Sequence, residues 1–217
     1  MDIAAIWDMD GVLVDTGELH YRSWVEALAA EGVSIMRHDF ESSFGQNNTS
    51  ILQRWLGADT PQATIDRIGN HKEVLFRAMA AEGGVRVLPG VPALLEGLRR
   101  AGVRQAVGSS APQENIDVLL AASGLRGYFE AVVSAWGMPG KPDPAVYLEA
   151  ALQLGVPPAR CVVIEDATAG VEGARRAGMR CIAVTNTHPA EKLAAATRVV
   201  SSLEEMNPET LIGLVGL

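Results

Sequence analysis

WDMDGVLVDT, residues 7–16, follows directly on the apolar run IAAIW of residues 3–7. A strand that reads as fully buried therefore runs straight into Asp8, Asp10 and Asp15. Carboxylates this close repel one another, and each costs several kcal/mol if it loses water without gaining a partner. A cation or a dense set of hydrogen bonds must compensate.

Working outward, residues from 90 onward alternate between helical and strand-like stretches. VPALLEGLRRAG reads as a helix closed by Gly102, RQAVGSS as a strand, and APQENIDVLLAASG as a helix with Pro112 near its first turn and Gly124 past its end. EAVVS, CVVIED and RCIAVTN continue as strands, separated by the helices DPAVYLEAALQLG and ATAGVEGARRAG. A weaker helix and the short strand RVVS then follow. This repetition predicts an α/β fold, a Rossmann-like doubly wound parallel sheet with helices on both faces.

Residues 17 to about 86 break the rhythm. ELHYRSWVEALAAEG, TSILQRWLG and QATIDRIGNHKEVLFRAMAAEG are helical patterns, with no convincing strand among them. The expected organisation is a discontinuous core, residues 1–15 and 87–217, carrying an inserted all-helical cap over residues 16–86. DTGELH and GGVRVLPG would be the crossings, the second supplied with glycines that could hinge.

The 217 residues suffice to bury about 70% of the unfolded surface without disulfides or a structural metal. Eighteen basic against 26 acidic residues, a net charge of -8, argue against a nucleic-acid surface, so an anionic small substrate would need a local positive site. No apolar run approaches the roughly 18 residues of a membrane span. Nothing resembling an export signal precedes the first strand, and the expected location is the cytoplasm. Cys161 and Cys181 lie in strand-like runs without histidines at ligand spacing and read as small buried hydrophobes.

In open parallel sheets, ligands sit beyond the carboxyl ends of the strands. Polar residues gather there in this chain: Asp8 and Asp10 after the first strand, Ser109 and Ser110 at the end of RQAVGSS, Glu165 and Asp166 at the end of CVVIED, with Lys141 in the loop GKPDP. Asp8, the Asp10 region and Asp166, with Glu165 beside it, would supply the hard oxygen ligands that Mg²⁺ prefers. A carboxylate nucleophile, a second carboxyl, hydroxyl and amide donors, a lysine and Mg²⁺ make a phosphoryl-transfer set working through an aspartyl phosphate.

Four ordered elements, DMDGVLVDT, VGSS, GKPDP and VIEDATAGVEGARRAG, make essentially the whole chain resemble the haloacid dehalogenase superfamily of phosphotransferases. Within it the chain is most similar to the beta-phosphoglucomutase-like subgroup, with its helical cap inserted after the first strand. The resemblance implies Asp8 as nucleophile and Asp10 as general acid and base, its backbone carbonyl facing the metal. Asp166 would be the other protein ligand, with Glu165 beside it. Ser109 and the Ser110 amide would hold the phosphoryl oxygens near a helix N-terminus. Lys141, followed by Pro142, would be held extended and would neutralise the nucleophile and the phosphoryl group. Gly11 would allow the tight turn after the two aspartates.

Structural alternatives stand beside these roles. Asp15, with Glu18 three residues on, reads as a capping box for the first cap helix. Asp166 could cap a helix and Ser109 could end a strand, but chance capping would not place acids, hydroxyls and a lysine at the ends of different strands. His20 shares a face with Trp24 and reads equally as packed or functional, though with Lys72 it occupies what look like the subgroup's substrate-reading cap positions. In FGQNNTS, Asn48 stands where the beta-phosphoglucomutases carry a phosphate-gripping arginine, which favours hydrolysis over mutase chemistry. The expected function is a Mg²⁺-dependent phosphomonoesterase acting on a small phosphorylated metabolite, a sugar phosphate, as a monomer or weak homo-oligomer. Beta-phosphoglucomutase is the alternative and a non-catalytic phosphometabolite-binding protein a remote one, while Asp10 argues against a dehalogenase.

Overall fold

The computed structural model describes residues 2–43, 46–83 and 85–216. Phe44 and Gly45 of FGQNNTS, Gly84 of GGVRVLPG, and Met1 lie outside the described residues. The chain divides into two compact units, Met1–Asp15 with Val85–Leu217, and Thr16–Gly84. The sequence reading had put Val85 and Arg86 in the helical insert. They fall in the sheet unit, because Arg86 pairs with Asp15 across a short antiparallel ribbon.

The first unit carries β1 (Ala4–Trp7), β2 (Val14–Asp15), β3 (Arg86–Val87), β4 (Arg104–Ser109), β5 (Ala131–Ser134), β6 (Cys161–Glu165), β7 (Arg180–Val184) and β8 (Arg198–Val200). Six of these form one parallel sheet in the order β5-β4-β1-β6-β7-β8. From β1 the chain builds outward on one side through β4 and β5, then returns to the other side of β1 with β6. The reversal leaves a crevice at the carboxyl ends of β1, β4 and β6, where an open α/β sheet binds ligands.

Both faces of the sheet are covered, which is why the four residues of β1 are buried without alternation. Ile6, Ala106 and Val163 pack with Tyr147, Leu154 and Val171 from the helices on one face. On the other, the Trp7 indole donates to the Gln105 side-chain oxygen at 3.2 Å, and Gln105 donates to the Leu95 carbonyl at 3.1 Å. Four helices of this unit, α5 (Val91–Arg100), α6 (Gln113–Ser123), α7 (Ala145–Leu154) and α8 (Thr168–Arg176), follow the expected pattern. Gly124 and Gly155 end α6 and α7 in the left-handed conformation that glycine adopts freely. The weaker helix expected before β8 is a short 3₁₀ turn, Ala190–Leu193, and a further helix, Pro208–Gly213, closes the chain.

The second unit is all helical: α1 (Gly17–Ala29), α2 (Arg37–Glu41), α3 (Asn48–Leu56) and α4 (Gln62–Ala81). Trp24, Leu28, Phe40, Ile51, Leu52, Ile65 and Ile68 share one core, and Trp24 meets Trp55 edge to face at 5.4 Å between ring centroids. The short α2 was not foreseen, since five residues give too little periodicity to read. The Asp15 capping box is corrected. Thr16, not Asp15, precedes α1 and makes no side-chain cap bond, while Asp15 forms an ion pair with Arg86. No helix among the described residues is long and apolar enough to cross a membrane.

Candidate active site

Asp8 is the first residue past β1, and its amide donates to the Ile164 carbonyl of β6 at 3.0 Å, so the backbone itself fixes it between strands. Beyond it the chain reverses at once: the Gly11 amide donates to the Val14 carbonyl at 2.8 Å, and Gly11 has a φ of +80°. A side chain there would collide with Asp166, because a Cβ on Gly11 would stand 2.0 Å from Asp166 Oδ2. Gly11 is thus required twice, for the turn and for the close approach of the acid opposite.

Asp8, Glu165 and Asp166 are all buried, and each offers a carboxylate oxygen within 4.8 Å of the others. Lys141 enters this group from the β5–α7 loop, its Nζ donating to Asp8 Oδ1 at 2.5 Å and to Glu165 Oε1 at 2.7 Å. The Lys141–Pro142 peptide bond is cis. Ser109, the last residue of β4, accepts the Ala111 amide on its hydroxyl at 3.1 Å, and the Ser134 hydroxyl donates to the Ala111 carbonyl at 2.6 Å. Ser110 lies exposed between them. Asp10 is half-buried just after β1 and bridges to Val14 through its backbone.

Three buried acids against one lysine leave the cluster short of positive charge. Burial, with the charges of Glu165 and Asp10 and against the pull of Lys141, raises Asp8 from 3.8 to about 7. Burial and the neighbouring Glu165 and Asp8 raise Asp166 to about 8, against the Thr187 hydrogen bond and Lys141. Glu165 moves the other way: burial alone would raise it, but the Lys141 charge and the hydrogen bonds it accepts hold it below the usual carboxylate range. Lys141 is raised well above its ordinary value, since Asp8 and Glu165 outweigh burial.

A divalent cation fits this donor set. Hard carboxylate oxygens converge at ligand spacing, and their shortage of positive charge is what such an ion supplies. The three acids are not equivalent, however. Glu165 Oε1 accepts from Lys141 and, at 2.8 Å, from the Tyr147 hydroxyl; Oε2 accepts the amides of Asp166 and Ala167, each at 2.8 Å. A carboxylate offers about four lone-pair directions, and these four donors occupy them. Among the described residues, Asp8 Oδ2 and Asp166 Oδ1 lie outside these hydrogen bonds, which use Asp8 Oδ1 and Asp166 Oδ2.

Sequence reasoning missed three side chains that organise the site. The Thr187 hydroxyl donates to Asp166 Oδ2, Asn186 Nδ2 donates to the Gly11 carbonyl at 2.8 Å, and Tyr147 binds Glu165. The run TNTHP after β7 was a signal at the right strand end that its ordinary turn composition concealed.

In the helical unit His20, Asn48 and Lys72 are brought together through a residue not foreseen, Glu73. Lys72 Nζ lies 2.9 Å from His20 Nδ1 and 3.0 Å from Glu73 Oε1, which also accepts from Asn48 Nδ2 at 2.9 Å. The His20 ring stacks on Phe76 at 4.3 Å.

A model of haloacid dehalogenase-like hydrolases matches residues 4–178. The chain belongs to that family. It is 32% identical over 216 residues to hexitol phosphatase B of Escherichia coli K12, covering 97% of both chains. Among solved structures, CbbY of Rhodobacter sphaeroides in complex with phosphate is 30% identical, with a TM-score of 0.85 over 100% of each chain. The beta-phosphoglucomutase of Clostridium difficile is 26% identical, with a TM-score of 0.85 over 100% of this chain and 98% of that one. The chloroplastic protein SUPPRESSOR OF QUENCHING 1 of Arabidopsis thaliana is 38% identical over 192 residues, a match spanning 18% of that protein's length. The chain is thus an enzyme of a hydrolase family whose curated relatives include named phosphatases.

The close fit around Glu165 makes a stability prediction. A Cβ on Gly170, inside α8, would stand 1.8 Å from Glu165 Oε1. In an unconstrained helix interior, glycine to alanine gains about 1 kcal/mol. Gly170→Ala should instead lose about 2–3 kcal/mol, because Glu165 must leave its hydrogen bonds or α8 must move away. Urea unfolding reads the sign directly, and a more stable variant would contradict the packing described.

Proposed function

We propose that the protein is a Mg²⁺-dependent phosphomonoesterase acting on a small phosphorylated metabolite, a sugar phosphate. The observation that carries this reading is the buried Asp8 carboxylate held 2.5 Å from Lys141, with Asp166 beside it, at the switch point of the sheet. Family membership and the hexitol phosphatase likeness support it.

Asp8 attacks phosphorus, so that an oxygen–phosphorus bond forms to the carboxylate as the ester bond breaks. Asp10 gives its proton to the leaving alkoxide oxygen. In the second step Asp10 takes a proton from water as that water attacks the aspartyl phosphate, releasing inorganic phosphate and restoring Asp8. Lys141 balances charge on Asp8 and on the transferring group, while the Ser109 hydroxyl and Ser110 amide hold phosphoryl oxygens. Asp8 and Asp166, with the Asp10 carbonyl, would hold Mg²⁺, which when bound supplies charge neutralisation for the phosphoryl oxygens.

Phosphate release from p-nitrophenyl phosphate and from a panel of sugar phosphates, phosphoglycolate and nucleotides tests this reading. A sugar phosphate should be hydrolysed fastest, and only with the divalent ion present. Conversion of beta-glucose 1-phosphate plus catalytic bisphosphate to glucose 6-phosphate, faster than release of free phosphate, would replace hydrolysis by mutase chemistry.

A further inference from the structure

Tyr147, in the first turn of α7, is wholly buried, yet its environment is not that of a simple core aromatic. Its hydroxyl donates to Glu165 Oε1 at 2.8 Å, the same oxygen that accepts the Lys141 ammonium at 2.7 Å. The ammonium also lies 5.0 Å from the centre of the Tyr147 ring, within the range of a cation–π contact. Lys141 is therefore held by a ring face, a carboxylate and the nucleophile together.

The chain makes room for this arrangement with glycines. A Cβ on Gly173 would come 3.1 Å from Tyr147 Cε2. Gly170 clears the space taken by Glu165. Two glycines within the nine residues of α8 work against helix formation, and the close approach of Tyr147 and Glu165 accounts for both.

We propose that Tyr147 is a positioning residue: by anchoring Glu165 Oε1 it fixes the direction in which Glu165 aims Lys141 at Asp8. The inference rests on the phosphatase reading above. Phenylalanine would fill the same slot without the hydroxyl, so packing alone does not explain the tyrosine. With the hydroxyl gone, Glu165 Oε1 keeps Lys141 as its single donor, and its position is then set only by the two amides on Oε2, about which it can shift. Lys141 then loses its fixed placement against the group being transferred. The attacking carboxylate oxygen and the phosphoryl group, both of which Lys141 faces, are brought closest in the transition state, so the loss falls on turnover rather than on substrate binding.

Steady-state hydrolysis of p-nitrophenyl phosphate by Tyr147→Phe tests the proposal. The expected result is a kcat lower by about tenfold, with KM within about twofold of the parent and the melting midpoint within a few degrees. A kcat equal to the parent's overturns the positioning role, as does a lower kcat matched by a large fall in melting midpoint. Glu165→Gln supplies an independent check, because Tyr147 acts through Glu165. In that background Tyr147→Phe should cost less than about twofold, and a full tenfold cost in both backgrounds refutes the coupling. If the parent protein releases no phosphate from any ester, the phosphatase reading itself falls, a result distinct from an active parent that is indifferent to Tyr147→Phe.

Discussion

Asp8→Asn is expected to abolish phosphate release, lowering kcat by about 10³-fold or more while leaving the protein folded. Asparagine has nearly the same shape, so the backbone bond to Ile164 and the packing at the end of β1 persist. Lys141 keeps Glu165 as a partner. What disappears is the charge proposed to attack phosphorus, and no neighbour replaces it: Glu165 is committed to four donors, and Asp166 sits on a different strand end with Thr187 on one of its oxygens. The folded variant also removes one of three buried negative charges, so without metal at pH 8 it should be at least as stable as the parent. Kinetics and thermal melting on one preparation check both halves. An active Asp8→Asn would remove the nucleophile assignment.

Chelation should be the other large effect. Stripping divalent ions with EDTA is expected to reduce turnover by at least about a hundredfold, with Mg²⁺ restoring it. The pH dependence of stability carries a second signature. Asp8 and Asp166 titrate at about 7 and about 8 in the folded metal-free chain, against 3.8 for an ordinary aspartate. Between those limits the folded state holds more protons than the unfolded one, so stability falls as pH rises from about 4 to about 8. Glu165, depressed on folding, adds stability above its unfolded value and loses it only in more acidic solution, outside this window. Lys141, raised on folding, loses its contribution only above its ordinary range. Mg²⁺ binds the ionised acids and should flatten or reverse the slope. Melting curves from pH 5 to 8, with EDTA or with Mg²⁺, read this directly; a metal-free midpoint that rises across the range would mean that the acids are compensated by protein alone.

The sheet was legible because buried parallel strands are continuous apolar runs, and because glycines such as Gly124 and Gly155 mark helix ends with a conformation few other residues adopt. Asp8, Lys141, Glu165 and Asp166 were legible as a group because each stands where a strand ends or just beyond one. Asp15 was misread because its pattern with Glu18 is a local signature, whereas the partner that claimed it, Arg86, lies 71 residues away. Tyr147, Thr187 and Glu73 share that difficulty. Each is unremarkable in its own segment and acquires meaning only through a partner delivered by another. Chemistry that sits at chain ends of strands can be read in one dimension, while the side chains that aim it cannot.

The strand order has a consequence for how the enzyme is made. β1 pairs with β4 on one side and with β6 on the other, Ala4 lying opposite both Arg104 and Cys161. During synthesis the strand that presents Asp8 precedes its second partner, β6, by the helical unit and the strands β4 and β5. Such long-range pairing slows folding, since distant segments must meet before any contact rewards them. It also means that a nascent chain stopped short of β6 carries Asp8 without Glu165 or Asp166, so the three acids can meet only once β6 has been made.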